Sequence, residues 1–153
     1  MKSDYQTTIT VKATAHDAFN AINNVTQWWT ENLEGGTHHT GDEFTVRFGD
    51  VHVSTQKIVE FVPNKKVTWL VTNSRLNFIS DKQEWTGSKI CFKITEHNNK
   101  TEIRFTHIGL VPEIECFGAC SNAWGQYIQQ SLFSLISTGK GQPTQKEESL
   151  KSS

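Results

Sequence analysis

Phe117, Cys120, Trp124, Ile128, Leu132 and Leu135 stand 3, 4, 4, 4 and 3 residues apart, while most of the chain before them alternates with a period of two. The first spacing gathers six side chains on one face of a helix from about Glu115 to Thr138, ~30 Å long. Gly139 and Gly141 end it, and Pro143 follows. The alternating segments before it read as strands. They are Tyr5 to Val11, then Phe44-Val46-Phe48, then Val51 to Val62. Val67-Trp69-Val71, Ile90-Phe92-Ile94 and Ile103-Phe105-His107 complete the series. Gly49-Asp50, Pro63-Asn64 and His97 to Lys100 supply turns.

Between the first strand and the rest, Thr14 with Asp17 three residues on is an N-cap signal. It opens a helix through Ala18, Phe19, Ala21 and Ile22. Asn24 with Gln27 opens a second, short helix carrying Trp28 and Trp29. Residues 34–42 read as loop, and 73–88 as an irregular edge or lid around Leu76, Asn77 and Phe78. The expected order is β-α-α-β-β-β-β-β-α, an α+β chain with a sheet of about six antiparallel strands. One face of such a sheet must be buried. The last helix and the early helix pair are the only elements large enough to cover it. A curved sheet cannot meet one helix along its whole length, so a cavity between them is expected.

The chain's 153 residues fit a single domain, expected over 1–141, with a polar, disordered tail over 142–153. A net charge of −1 without a basic stripe argues against nucleic acid or an anionic membrane as partner. No run approaches 18 apolar residues, so no membrane span is expected. The opening MKSDYQTTITV has no apolar core of a signal peptide. Cys91, Cys116 and Cys120 are odd in number and form no CxxC pair. A cytoplasmic location with free thiols is therefore expected.

The segments TTITVKATAHDAFNAINNVTQWW, VTWLV, EWTGSKICFKI, TEIRFTHIGL and CSNAWGQYIQQSLFSLISTGKG resemble the SRPBCC (START/Bet v 1-like) superfamily. More narrowly, they resemble stand-alone bacterial homologues of the C-terminal domain of the heat-shock-protein-90 ATPase activator. The resemblance spans residues 5–141. It implies a helix-grip fold, a curved sheet wrapped around the C-terminal helix, with a hydrophobic pocket. It also implies binding of lipids, sterols, polyketides or other apolar molecules, with cyclases and hydrolases among the members. In the eukaryotic activator the homologous domain assists a chaperone. That activator carries a separate N-terminal domain, for which this chain has no room.

The expected function is binding of a small hydrophobic ligand, a lipid, sterol, polyketide or aromatic metabolite, without cofactor or metal. The expected floor is Val53, Val67, Trp69, Phe92, Ile94, Phe105 and His107. The expected roof is Cys120, Trp124, Tyr127 and Ser131, with Trp28 or Trp29 at the mouth. His107 shares a strand face with Ile103 and Phe105, so its imidazole would face an apolar interior as a ligand contact or general base. A satisfied core histidine is the alternative. A catalytic reading needs converging titratable groups, for which His107, Tyr127 and Glu84 are the candidates. GxSxG, P-loop, GxGxxG and HExxH motifs are all absent. Cys116 and Cys120, four apart near Glu113 and Glu115, read better as buried small hydrophobes than as zinc ligands. His38-His39 reads as surface. A chaperone-docking module is the remaining alternative and would expose a large apolar patch.

Overall fold

The computed structural model describes residues 4–49, 52–77, 80, 83–112 and 114–144. Seven strands form one antiparallel sheet: β1 (Tyr5–Val11), β2 (Leu33–Gly35), β3 (Glu43–Phe48), β4 (His52–Val62), β5 (Lys66–Leu76), β6 (Lys89–His97) and β7 (Lys100–Ile108). Their order across the sheet is β1-β7-β6-β5-β4-β3-β2. Strands β2 to β7 follow one another as neighbours, and β1 crosses to pair with β7, Tyr5 opposite His107.

Helix α1 (Ala15–Asn23) begins as its sequence requires, with the Thr14 hydroxyl accepting the Asp17 N–H at 3.0 Å. The terminal helix is continuous but not uniform. It runs as α2 (Phe117–Gln126), a wide π turn over Tyr127–Leu132, and α3 (Phe133–Thr138). Gly139 closes it in the left-handed region at φ 87°, its N–H donating to the Leu135 carbonyl. The hairpin between β6 and β7 turns on Asn98 and Asn99, at φ 52° and 65°. Asparagine tolerates that conformation well.

The structure departs from the sequence reading at three places. The seventh strand, β2, falls in the stretch read as loop. It pairs with β3 through Gly35 at φ 114°, where any side chain would collide with the Glu43 carbonyl. The second short helix is present as a single 3-10 turn, Val25–Gln27, so Trp28 and Trp29 follow it rather than ride on it. Strand β5 continues to Leu76, into the segment read as a lid, because its pairing with β4 shifts register at Thr55/Gln56. That shift moves the inward phase from Val67, Trp69 and Val71 to Ser74 and Leu76. Asp50, Val51, Phe78 and Glu113 lie outside the described residues.

The covered face of the sheet carries Ile9, Phe44, Val46, Ile58, Trp69, Ile90, Phe92, Ile103 and Phe105, all buried. Against it lie Cys120, Trp124, Ile128 and Leu132 of the terminal helix and Ala18, Phe19 and Ile22 of α1. After the helix the chain folds back. The Gln142 N–H donates to the Ser131 hydroxyl at 2.7 Å. The Thr144 N–H donates to the Trp29 carbonyl at 3.0 Å, and the Glu31 N–H to the Thr144 carbonyl at 2.8 Å. This strap occupies residues 142–144 of the expected tail; residues 145–153 lie outside the described residues.

Trp28 is fully buried, with its indole N–H donating to the Ile22 carbonyl at 3.1 Å. Replacing it leaves a ring-sized void and an unpaired carbonyl. Trp28→Ala is therefore expected to cost about 3–5 kcal/mol, read as a lowered urea midpoint at unchanged slope.

Candidate functional site

All five tryptophans of the chain meet in one cluster. Trp29 lies at its centre. It stacks on Trp28 at 6.1 Å and 17°, on Trp69 at 5.7 Å and 17°, and on Trp124 at 4.9 Å and 28°. Trp124 stacks in turn on Trp85 at 5.8 Å and 12°. Phe44 and Phe92 close on Trp69 edge to face, as Phe92 does on Trp28. Edge-to-face and offset stacking suit the ring quadrupoles and add to the burial energy. These rings fill most of the space between sheet and helix.

A gap is left beside the N-terminal half of the terminal helix. It is a half-open cavity of about 220 Å³ lined by Trp29, Phe48, His52, Trp85, Cys120, Ala123, Trp124 and Tyr127. Four residues expected at the site are therefore brought together: Trp29, Cys120, Trp124 and Tyr127. Trp28, Trp69, Phe92 and Phe105 are fully buried in the packed rings beside it. Val53 lies on the outer face of β4, because His52, Ser54, Gln56 and Ile58 take the inward positions. Ser131 is engaged elsewhere, donating to the Trp28 carbonyl at 2.7 Å while accepting from Gln142.

His107 points inward as expected, but both of its nitrogens are committed. Trp124 Nε1–H donates to its Nδ1 at 3.0 Å. The ring proton must then sit on Nε2, 2.8 Å from Ser88 Oγ, and the Ser88 hydroxyl donates in turn to the Trp85 carbonyl at 2.6 Å. Every polar side-chain atom of this Trp124–His107–Ser88 relay is hydrogen-bonded. A second proton on the imidazole would set two donors against each other at Nδ1. Complete burial and the nearby His52 push the His107 pKa down to about 3. Burial alone pushes His52 down to about 3. His52 Nε2 pairs with Ser54 Oγ at 2.8 Å, and Gln56 Nε2 donates to the same oxygen at 2.6 Å. The Gln56 carbonyl oxygen and the indole N–H groups of Trp69 and Trp85 are buried without partners.

Sequence reasoning missed Phe48, His52, Trp85 and Ala123 as wall residues, and the role of Glu84. The Glu84 carboxylate accepts from the Glu115 and Cys116 N–H groups at 2.8 and 3.0 Å, capping the start of α2. That cap holds the 83–88 segment, and Trp85 with it, against the helix. The Tyr127 hydroxyl bonds the Thr144 hydroxyl on the strap. His38 is exposed, and His39 is exposed and faces Asp42 at 3.4 Å. Among the described residues no three metal-ligating side chains converge, and no helix is long and apolar enough to cross a membrane.

With this geometry in hand, the chain can be set beside known proteins. The model of the family described as Activator of Hsp90 ATPase homolog 1-like protein matches residues 12–136. The chain belongs to that family. No curated protein matches it. Among solved structures it is similar to the Aha1 dimer from Colwellia psychrerythraea, at 24% identity and a TM-score of 0.74, covering 91% of this chain and 99% of that one. It is also similar to a putative protein of the dynemicin biosynthetic locus, at 15% identity and a TM-score of 0.67. That match covers 94% of this chain and 51% of the other, so the chain spans about half of that protein. A Mesorhizobium loti protein aligns at 14% identity and a TM-score of 0.64, over 86% of this chain and 95% of its own. At these identities the likeness is one of fold. It supports the helix-grip arrangement of an antiparallel sheet closed by a long C-terminal helix.

The two depressed histidines give this family member a pH signature. Unfolded, each takes up a proton below its ordinary value of 6.5, whereas the folded chain resists until about 3. Stability is thus complete above pH 6.5 and falls as the pH drops from 6.5 toward 3, by about 1 kcal/mol per pH unit per histidine. Urea midpoints measured from pH 7.5 to 5 are expected to decline accordingly. His107→Gln is expected to remove about half of the slope.

Proposed function

We propose that this chain binds a small, largely apolar aromatic molecule in the cavity between the start of α2 and the β3–β4 end of the sheet. One observation carries the reading. The rings fill the rest of the interior, yet a gap walled by Trp29, Phe48, Trp85, Trp124 and Tyr127 stays open at the helix N-terminus. Flat aromatic walls on several sides favour a flat, polarisable guest that can stack. The volume narrows the class. Drug-sized ligands occupy pockets of roughly 300–1,000 Å³, and about 220 Å³ falls below that range. A one- or two-ring metabolite suits it better than a sterol, a lipid chain or a large polyketide.

The catalytic alternative finds little support. His107 is closed into the Trp124–His107–Ser88 chain, Glu84 is occupied as a helix cap, and the Tyr127 hydroxyl is tied to Thr144. Chaperone docking rests on the family relationship alone. The large apolar side chains exposed among the described residues are Val62, Ile108 and Phe133, one each on β4, β7 and α3.

Ala123 offers a clean test, because it lines the cavity from an exposed helix position. Titration of the chain with 4-phenyl-2-butanone, followed by indole N–H resonances in NMR, is expected to shift Trp85 and leave Trp28 in place. Ala123→Phe should abolish the shifts while changing stability by no more than about 0.5 kcal/mol. Unaltered shifts in Ala123→Phe would place the guest elsewhere.

A further inference from the structure

Cys116 and Cys120 play no part in the reading so far beyond the wall that Cys120 contributes. Cys116 is the N-cap residue of α2, and Cys120 sits one turn on, its N–H donating to the Cys116 carbonyl at 2.7 Å. Both thiols are free and buried. Of the chain's three cysteines, Cys120 is the one that borders the cavity. The two thiols stand one helical turn apart, and the effects on them are opposite. The Cys120 thiol and burial push Cys116 far above the ordinary thiol range, while the Cys116 S–H favours the charged form of Cys120 and holds it below that range.

A second observation comes from Trp85. This side chain is only 4% exposed, and its indole N–H has no hydrogen-bond partner. It shares the cavity wall with Cys120. A buried donor left unpaired is costly. A charge on the Cys120 sulfur would satisfy it. The first turn of α2 adds its dipole in the same sense. The Glu84 carboxylate opposes ionisation of both thiols, but its oxygens are turned to the Glu115 and Cys116 N–H groups.

We infer that Cys120 is a nucleophilic site that covalently captures small apolar electrophiles entering the cavity, with one-ring α,β-unsaturated ketones and aldehydes as the class it takes. The inference rests on the binding reading above, since the cavity brings the electrophile to the sulfur. The step is a conjugate addition. The Cys120 thiolate forms a bond to the β-carbon, the carbon–carbon π pair moves onto the α-carbon and carbonyl oxygen, and the resulting enolate takes a proton at the α-carbon. That proton comes from solvent at the half-open mouth and replaces the one Cys120 released. Thiol plus enone gives thioether; nothing is oxidised or reduced, and no group leaves. Cys91 serves as an internal control. It is buried on the outer face of β6 beside the Thr68 hydroxyl, away from the cavity.

The test treats the intact chain with equimolar 4-phenyl-3-buten-2-one and follows it by intact mass and peptide mapping. The expected result is one addition, mapped to Cys120, at a rate about tenfold or more above that of N-acetylcysteine at the same pH. Cys120→Ser should lose the addition, and Cys116→Ser should slow it several-fold. Mapping the unmodified sequence locates the adduct even if a variant fails to fold. Addition first at Cys91 or Cys116, or at the free-thiol rate, overturns the inference. The saturated 4-phenyl-2-butanone separates the two readings. If it binds but the enone does not add, covalent capture fails and the cavity reading stands. If it does not bind, the cavity reading itself fails.

Discussion

The contact on which most of this structure depends is the seat of Trp124. Its ring lies between Trp29 and Trp85 and against Phe105, and its indole N–H ends on His107. It therefore joins four parts of the fold at one point: the terminal helix, the turn after α1, the 83–88 segment and β7. The hydrogen bond makes the position directional as well as apolar. A stack of flat rings alone can slide, but the N–H requires an acceptor and fixes the rotation of the indole. The same bond fixes the histidine tautomer, and through Ser88 it reaches back to the Trp85 carbonyl. A polar chain that is fully satisfied costs little to bury and specifies one arrangement of the rings around it.

The terminal helix was legible because a stripe spaced 3, 4, 4, 4 and 3 leaves no other element to build. The structure buries Cys120, Trp124, Ile128 and Leu132 from it. The cap at Thr14 and the stop at Gly139 were legible for the same kind of reason, since each residue type answers a local backbone need. What stayed hidden was whatever depended on partners far away in sequence. Strand β4 presents His52, Ser54 and Gln56 inward, so its apolar phase pointed to Val53 on the wrong face. Hydrophobic alternation assumes that buried means apolar, and here three buried polar side chains of one strand meet at the Ser54 hydroxyl. Trp85 carried no periodic signal at all. It enters the wall because Glu84 beside it caps a helix 31 residues away.

Trp28 and Trp29 show the limit from another side. Their adjacency implies divergent directions on a helix, yet the chain leaves helical geometry after Gln27 and stacks the rings at 17°. Trp29 then reaches both the packed centre and the cavity wall. The strap is part of the same arrangement. Thr144 pairs with the backbone of Trp29 and Glu31, and its hydroxyl holds Tyr127, so two wall residues are tied to a segment whose polar composition suggested no role.

The place of the cavity follows from residue sizes along the two facing surfaces. The buried stripe of the helix runs Cys120, Trp124, Ile128, Leu132, with its smallest member at the N-terminal end. At that end β4 contributes His52 to the cavity wall, whereas Trp69, Phe92 and Phe105 of strands further across pack as large buried rings. Longer side chains would have filled the gap at a gain of roughly 25 cal/mol for each Å² of apolar surface covered. The polar inner phase of β4 and the thiol of Cys120 therefore stand where packing alone would favour larger hydrocarbons. The gap is a property of these particular residues.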